Sequence, residues 1–237
     1  MSKKGGVFLA VAGTVLILSA LSLSFYNRCE DVQAGQEAEN LLGSVQSAMA
    51  ERAERETIPA ETGTAVSTES EAFPEPQDPE LPVVELEGYG YVGTICVPAL
   101  ELELPVMSEW DYDRLRIAPC RQFGSSRTDD LVIAAHNYKT HFGLLKQLSI
   151  GDIVTFTDMD GIVNDYAVVR MDNLQPTDVE AVQNSGCDLV LYTCTEGGAA
   201  RIVVFCDRVQ SEKASSCAPA EKGESMAGRT AADRKSG

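Results

Sequence analysis

The chain has 237 residues, with 36 acidic side chains against 19 basic ones and a formal net charge of −17. So acidic a composition excludes a nucleic-acid-directed role, which needs clustered Lys and Arg on the phosphates. Seven cysteines, an odd number without any C-x-x-C pair, leave at least one thiol free and disfavour a thioredoxin-like centre or a zinc ribbon.

The first 26 residues contain no acidic group. Lys3 and Lys4 precede an apolar run from Val7 to Tyr26, which matches the ~20 residues of one membrane-spanning helix. The run exceeds the roughly 7–15 residues of a cleaved signal's apolar region, so residues 1–26 predict an uncleaved anchor. The two lysines place the N-terminus inside and the remaining chain outside the cell membrane, crossed once. Residues 27–56 predict a helical stalk, with Val32, Leu41, Leu42, Val45, Met49 and Ala53 mostly three to four apart. The stripe is thin and suits either a spacer or a helix docked on the main domain. Residues 57–82, with Pro59, Pro74, Pro76, Pro79 and Pro82, read as a stiff Pro- and Glu-rich linker that buries little.

Residues 83–210 change to short apolar runs: Tyr89–Val97, Leu102–Met107, Leu131–Ala135, Ile153–Thr157, Asn164–Met171, Leu189–Cys194 and Ile202–Arg208. Asp158-Met159-Asp160-Gly161 predicts a hairpin turn, and Gly197-Gly198 joins the last two runs. Short helices fit Asp111–Arg116, Phe142–Gln147 and Thr177–Asn184. The expected fold class is mainly β: a closed, mostly antiparallel barrel of about seven or eight strands with a few short helices. Residues 211–237 read as a disordered tail.

Chemistry concentrates at three strand ends. Cys194 closes Tyr192-Thr193-Cys194-Thr195, Arg201 opens the next run, and His136 follows Val132-Ile133-Ala134-Ala135. A thiol, an imidazole and a guanidinium so placed point to covalent thiol catalysis on an acyl group. His141 is the one other histidine; it either lines the groove, caps the helix it begins, or serves as the catalytic base. Arg201 has the alternative of pairing with Glu196. A papain-like protease places Cys before His, the reverse of the order here. A non-catalytic surface binding module on the same barrel remains the alternative from another functional class.

The order His136, Cys194, Arg201 resembles that of the sortases, the cysteine transpeptidases of Gram-positive cell surfaces. The resemblance covers residues 84–210. Gly93-Thr94-Ile95-Cys96-Val97-Pro98 with Leu104-Pro105-Val106 resembles the family's first strands, and Ala135-His136-Asn137 its catalytic-histidine segment. His141-Phe142-Gly143, Leu144, Leu145, Leu148 and Gly151-Asp152 resemble the stretch that follows. Leu191-Tyr192-Thr193-Cys194 resembles the T-L-x-T-C signature, with Val190 where that signature has Thr. The resemblance implies catalytic His136, Cys194 and Arg201, with Thr193, Thr195 and His141 on the substrate. It implies sorting-motif surface proteins as substrates, LPxTG-like or NPxTN-like, and a peptidoglycan or pilin amine as acceptor. An anchor followed by a helix resembles the class B arrangement or a related small subclass. Some sortases use calcium, and Asp158, Asp160 and Asp165 surround a turn, but a calcium site needs about six oxygens, so no cofactor is expected.

Overall fold

In the computed structural model, residues 3–57 and 78–209 are described. Most of the linker expected at 57–82, and all of the tail at 211–237, lie outside the described residues. One continuous helix, α1 (Lys3–Thr57), runs through both the apolar run and the predicted stalk. Its apolar stretch is long enough to cross a membrane, and Val7, Phe8, Leu16 and Phe25 are 65%, 74%, 71% and 71% exposed. Further along, Ala34, Ala38, Leu41 and Val45 are buried at steps of four, three and four residues, one face of the helix. Through that face this part of α1 packs on the barrel. Arg52 Nε meets Asp160 Oδ1 at 2.7 Å, and Gln46 donates to Glu103 at 2.8 Å.

Nine strands follow among the described residues: β1 (Val84–Leu86), β2 (Tyr89–Val97), β3 (Leu102–Met107), β4 (Cys120–Phe123), β5 (Leu131–Ala134), β6 (Ile153–Asp158), β7 (Val163–Leu174), β8 (Leu189–Cys194) and β9 (Arg201–Arg208). Their order is β1-β2-β3-β4-β5-β8-β9-β7-β6, and β6 pairs back onto β2. Eight strands therefore close into a barrel, with β1 as an extra strand outside the ring. Pairings β3–β4 and β5–β8 are parallel and the others antiparallel. The predicted hairpin at 153–171 and the final pair both form. β1 and β4 have no counterpart in the sequence reading; Cys-Arg-Gln-Phe is short and mixed, and the ladder between β3 and β4 is the single pair Met107 and Cys120. The single tryptophan, Trp110, is 37% exposed, with its ring centroid 5.3 Å from that of Tyr112.

Alternation along each strand sorts side chains by face. Ile95, Leu104, Ile133, Leu191, Val204, Phe156 and Tyr166 fill the interior. Outside it, Tyr91, Met107, Cys120, Ala134 and Met159 pack with Leu41 and Val45 of α1. A second outer cluster joins Val132, Val190, Val203 and Phe205, partly covered by Val182 of the short helix α2 (Val179–Gln183). Closure depends on Gly93: a Cβ there, at φ +153°, would lie 2.1 Å from the Thr157 carbonyl oxygen of β6.

Candidate active site

β5 and β8 run parallel in register, with Ala134 beside Tyr192, and the Ala135 amide donates to the Tyr192 carbonyl at 3.2 Å. Along β8, Leu189 and Leu191 face the interior while Val190 and Tyr192 face outward. The same alternation puts Cys194 on the outer face, two residues past Tyr192, and His136 there too, two past Ala134. β9 brings Arg201 directly opposite Cys194. The next rung is the Thr195 amide to the Ala200 carbonyl at 2.9 Å. Cys194 and Arg201 thus hold a non-hydrogen-bonded pair, where Cα atoms approach to about 4.5 Å.

His136, Cys194 and Thr195 line a cleft of about 1280 Å³, together with Glu196, Arg116, Lys139 and Asp172. Its further wall is α1 itself, through Asn27, Arg28, Glu30 and Asp31. Arg201 is half-buried and its guanidinium is turned onto the β8–β9 turn, with Nη1 3.2 Å from the carbonyl oxygens of Gly198 and Ala200. Glu196 is not its partner; Glu196 pairs with Lys146 at 3.2 Å across the cleft rim.

The residues expected on the substrate divide. The Thr195 hydroxyl donates to the Ala200 carbonyl at 3.2 Å and accepts from the Ala200 amide at 3.0 Å, which pins the turn beside the thiol. Thr193 is 1% exposed, and its hydroxyl donates to the Ala135 carbonyl at 2.9 Å. It ties the cysteine strand to the histidine segment and does not face the cleft. His141 is fully buried, outside the cleft lining, and makes no side-chain cap on the helix it begins.

Burial pushes the His141 imidazole down from 6.5 to about 4, with neighbouring His136 adding to the effect and the Ala34 backbone and Asp31 opposing it. The folded protein therefore holds it neutral while the unfolded chain protonates it near 6.5. Stability from this group is complete above about pH 6.5 and is lost as pH falls through that value toward 4. Melting temperatures recorded between pH 7 and 4.5 should fall more steeply for the native chain than for His141→Gln. Parallel curves for the two would contradict this assignment.

His136 Nδ1 is buried with no hydrogen-bond partner among the described residues. No carboxylate among the described residues accepts from that nitrogen. Instead the Tyr138 ring lies on the imidazole, centroids 4.5 Å apart and planes 16° from parallel. Tyr138 has no mark in the sequence beyond standing two residues after the histidine, and the α1 wall has none, because helix docking is a tertiary event. Val190, the departure from the signature, is buried among Val132, Val203 and Phe205, where a β-branched apolar side chain suits the outer cluster.

The acids of the β6–β7 turn face protein groups. Asp158 and Asp160 both bind the Arg127 guanidinium, and Asp165 accepts from the Thr155 hydroxyl at 2.6 Å. No group of three or more metal-ligating side chains occurs among the described residues. A thiol and an imidazole on one cleft wall, with a guanidinium one strand away, can perform covalent acyl transfer.

Residues 95–209 match the model of the sortase domain. No curated protein matches the sequence. Similar solved structures include sortase A from Corynebacterium diphtheriae, 21% identical over 52% of this chain and 63% of that one, with a TM-score of 0.48. Sortase C1 from Streptococcus suis is 23% identical over 51% of this chain and 74% of that one, with a TM-score of 0.45. Sortase C from Clostridium perfringens, solved with the C-terminal cell wall sorting motif, is 18% identical over 51% and 71%, with a TM-score of 0.45. The chain thus spans 63% of the first of these structures.

Proposed function

We infer, for a chain whose residues 95–209 are a sortase domain, that the protein is a membrane-anchored cysteine transpeptidase acting on C-terminal sorting motifs. The single observation that carries this reading is the cleft wall shared by His136 and Cys194, with Arg201 opposite the cysteine on the next strand. Residues 1–26 are the single-pass anchor, with the N-terminus inside and the barrel on the outer surface; residues 27–56, 57–82 and 83–210 are stalk, linker and catalytic barrel. The anchor-then-helix order favours a class B-like or related small-sortase organisation.

The Cys194 sulfur, as thiolate, attacks the scissile carbonyl carbon of an LPxTG-like or NPxTN-like motif. The tetrahedral intermediate collapses, the C–N bond breaks, and the protonated His136 gives its proton to the departing amine. A thioester on Cys194 remains. An amine of peptidoglycan or of a pilin subunit then attacks the same carbon, neutral His136 takes its proton, and the sulfur leaves. Arg201 serves the oxyanion, or the substrate's backbone carbonyls, with donors that stay charged. To reach them its Nη1 exchanges two neutral turn carbonyls for the developing negative charge. The Thr195 amide is spoken for by Ala200, so Thr195 contributes by fixing the turn. Substrates are sorting-motif surface proteins, and the reaction needs no cofactor.

The full chain in nanodiscs, presented with quenched peptides carrying each motif, with and without an oligoglycine or diaminopimelate-type amine, tests the reading. The expected result is a cleaved peptide joined to the amine. Cleavage without joining, whatever the amine, would make the protein a thiol protease, and no cleavage at all would favour the binding-module alternative.

A further inference from the structure

We propose that α1 positions the loop carrying His136, with Asp31 as the tether and Tyr138 as the surface that orients the imidazole; this rests on the reading of His136 as the proton-transfer group. The loop from His136 to Gly143 is fixed internally: Phe142 donates its amide to the His136 carbonyl at 3.2 Å, and the His141 and Gly143 amides reach the Tyr138 carbonyl at 3.0 and 2.8 Å. These bonds hold the loop's shape, while Phe142 in the barrel core and the Thr193 hydroxyl on the Ala135 carbonyl seat its two ends. The contact on the middle of the loop comes from more than a hundred residues away. Thr140 donates its amide to Asp31 Oδ1 at 3.3 Å and its hydroxyl to the Asp31 carbonyl at 3.0 Å. One turn on, Gly35 lets the helix close down, since a Cβ there would lie 2.7 Å from Thr140 Cγ2. His141, seated edge-on to Tyr138 at 5.4 Å, is buried alongside.

A proton-transfer imidazole is normally oriented by an acceptor on its second nitrogen. His136 Nδ1 is buried and has none among the described residues. The ring's orientation then depends on what covers its face, which is Tyr138, two residues from Thr140 and held by the same tether. A helix that anchors the protein thereby also sets the geometry of its chemistry. Loss of the tether leaves the cleft present and its proton-transfer group loosely aimed, a defect that reduces turnover far more than binding.

The test uses the full chain in nanodiscs with two readouts, amide exchange across residues 136–143 and steady-state transpeptidation. Asp31→Ala should speed exchange in that segment and lower kcat by about tenfold or more with KM little changed. Asp31→Asn keeps an Oδ1 acceptor and should restore both. Tyr138→Phe keeps the stacked face and the acid limb of the kcat/KM pH profile; Tyr138→Leu should lower kcat and displace that limb. Unchanged exchange in Asp31→Ala, or Asp31→Asn as impaired as Asp31→Ala, would overturn the tether whether or not the chain is active. A native chain that makes no joined product would instead overturn the transpeptidase reading, while exchange still reports on the tether.

Discussion

Replacing Cys194 by alanine is expected to abolish amine-joined product, a loss of about 10³-fold or more in kcat. The thiol is the group that bonds to the acyl carbon in this account, and neither water nor a neighbouring hydroxyl takes over its part. Cys194 is half-exposed at a strand end, so removing its sulfur should leave the unfolding midpoint nearly unchanged. His136→Ala should cost about 10²–10⁴-fold through lost proton transfer. Arg201→Ala should cost about 10²–10³-fold if its donors serve the oxyanion. The three groups act as a unit, so Cys194→Ala with His136→Ala should be no slower than Cys194→Ala alone. Product assays on the purified variants check all of this, and joined product from Cys194→Ala at the native rate would exclude the thiol mechanism.

The largest stability effect is expected elsewhere, at Arg127. Asp158 is fully buried and Arg127 nearly so, its side chain 11% exposed, and they meet at 2.9 Å. Asp158 Oδ1 accepts from the amides of Asp160 and Ile162 at 2.9 and 3.0 Å, while the guanidinium takes Oδ2. Arg127 also reaches Asp160, which in turn holds Arg52 of α1. Arg127→Leu leaves a fully buried carboxylate without its counter-ion, and removing one partner of a buried pair costs about 3–5 kcal/mol. Urea unfolding should show that loss without a change in slope. The Lys146–Glu196 pair, 55% and 92% exposed, should yield about 1 kcal/mol or less on the same measurement. A loss below about 1 kcal/mol for Arg127→Leu would mean that the network adds nothing net to the fold.

Much of this was legible in the chain, for identifiable reasons. β8 and β9 are apolar, β-branched and joined by a six-residue turn that contains Gly197-Gly198, so their pairing and the placing of Cys194 opposite Arg201 follow from local signals. The β6–β7 hairpin announces itself through Asp158 to Gly161 for the same reason. What escaped is what depends on distant partners. β4 is defined by neighbours more than by its own pattern, so no alternation marks it. Thr193 stands next to the thiol in sequence, yet strand alternation turns it inward to the Ala135 carbonyl. His141 resembles a groove residue by its spacing from His136 and is instead sealed under α1. Nothing near the acidic turn marks its partner Arg127, which lies more than thirty residues earlier in the chain. Asp31 carries nothing local to mark it: an acid in a polar helix gains meaning only once the helix docks on Thr140.

The measurement that bears most directly on the central claim is a mass spectrum of the native chain after brief incubation with a sorting-motif peptide and no amine. The account predicts a mass gain equal to the peptide's N-terminal fragment, mapped to the segment containing Cys194. Adding the amine should discharge it and release the joined product. Joined product formed while Cys194 stays unmodified, or an adduct on Cys194 that no amine removes, would contradict it.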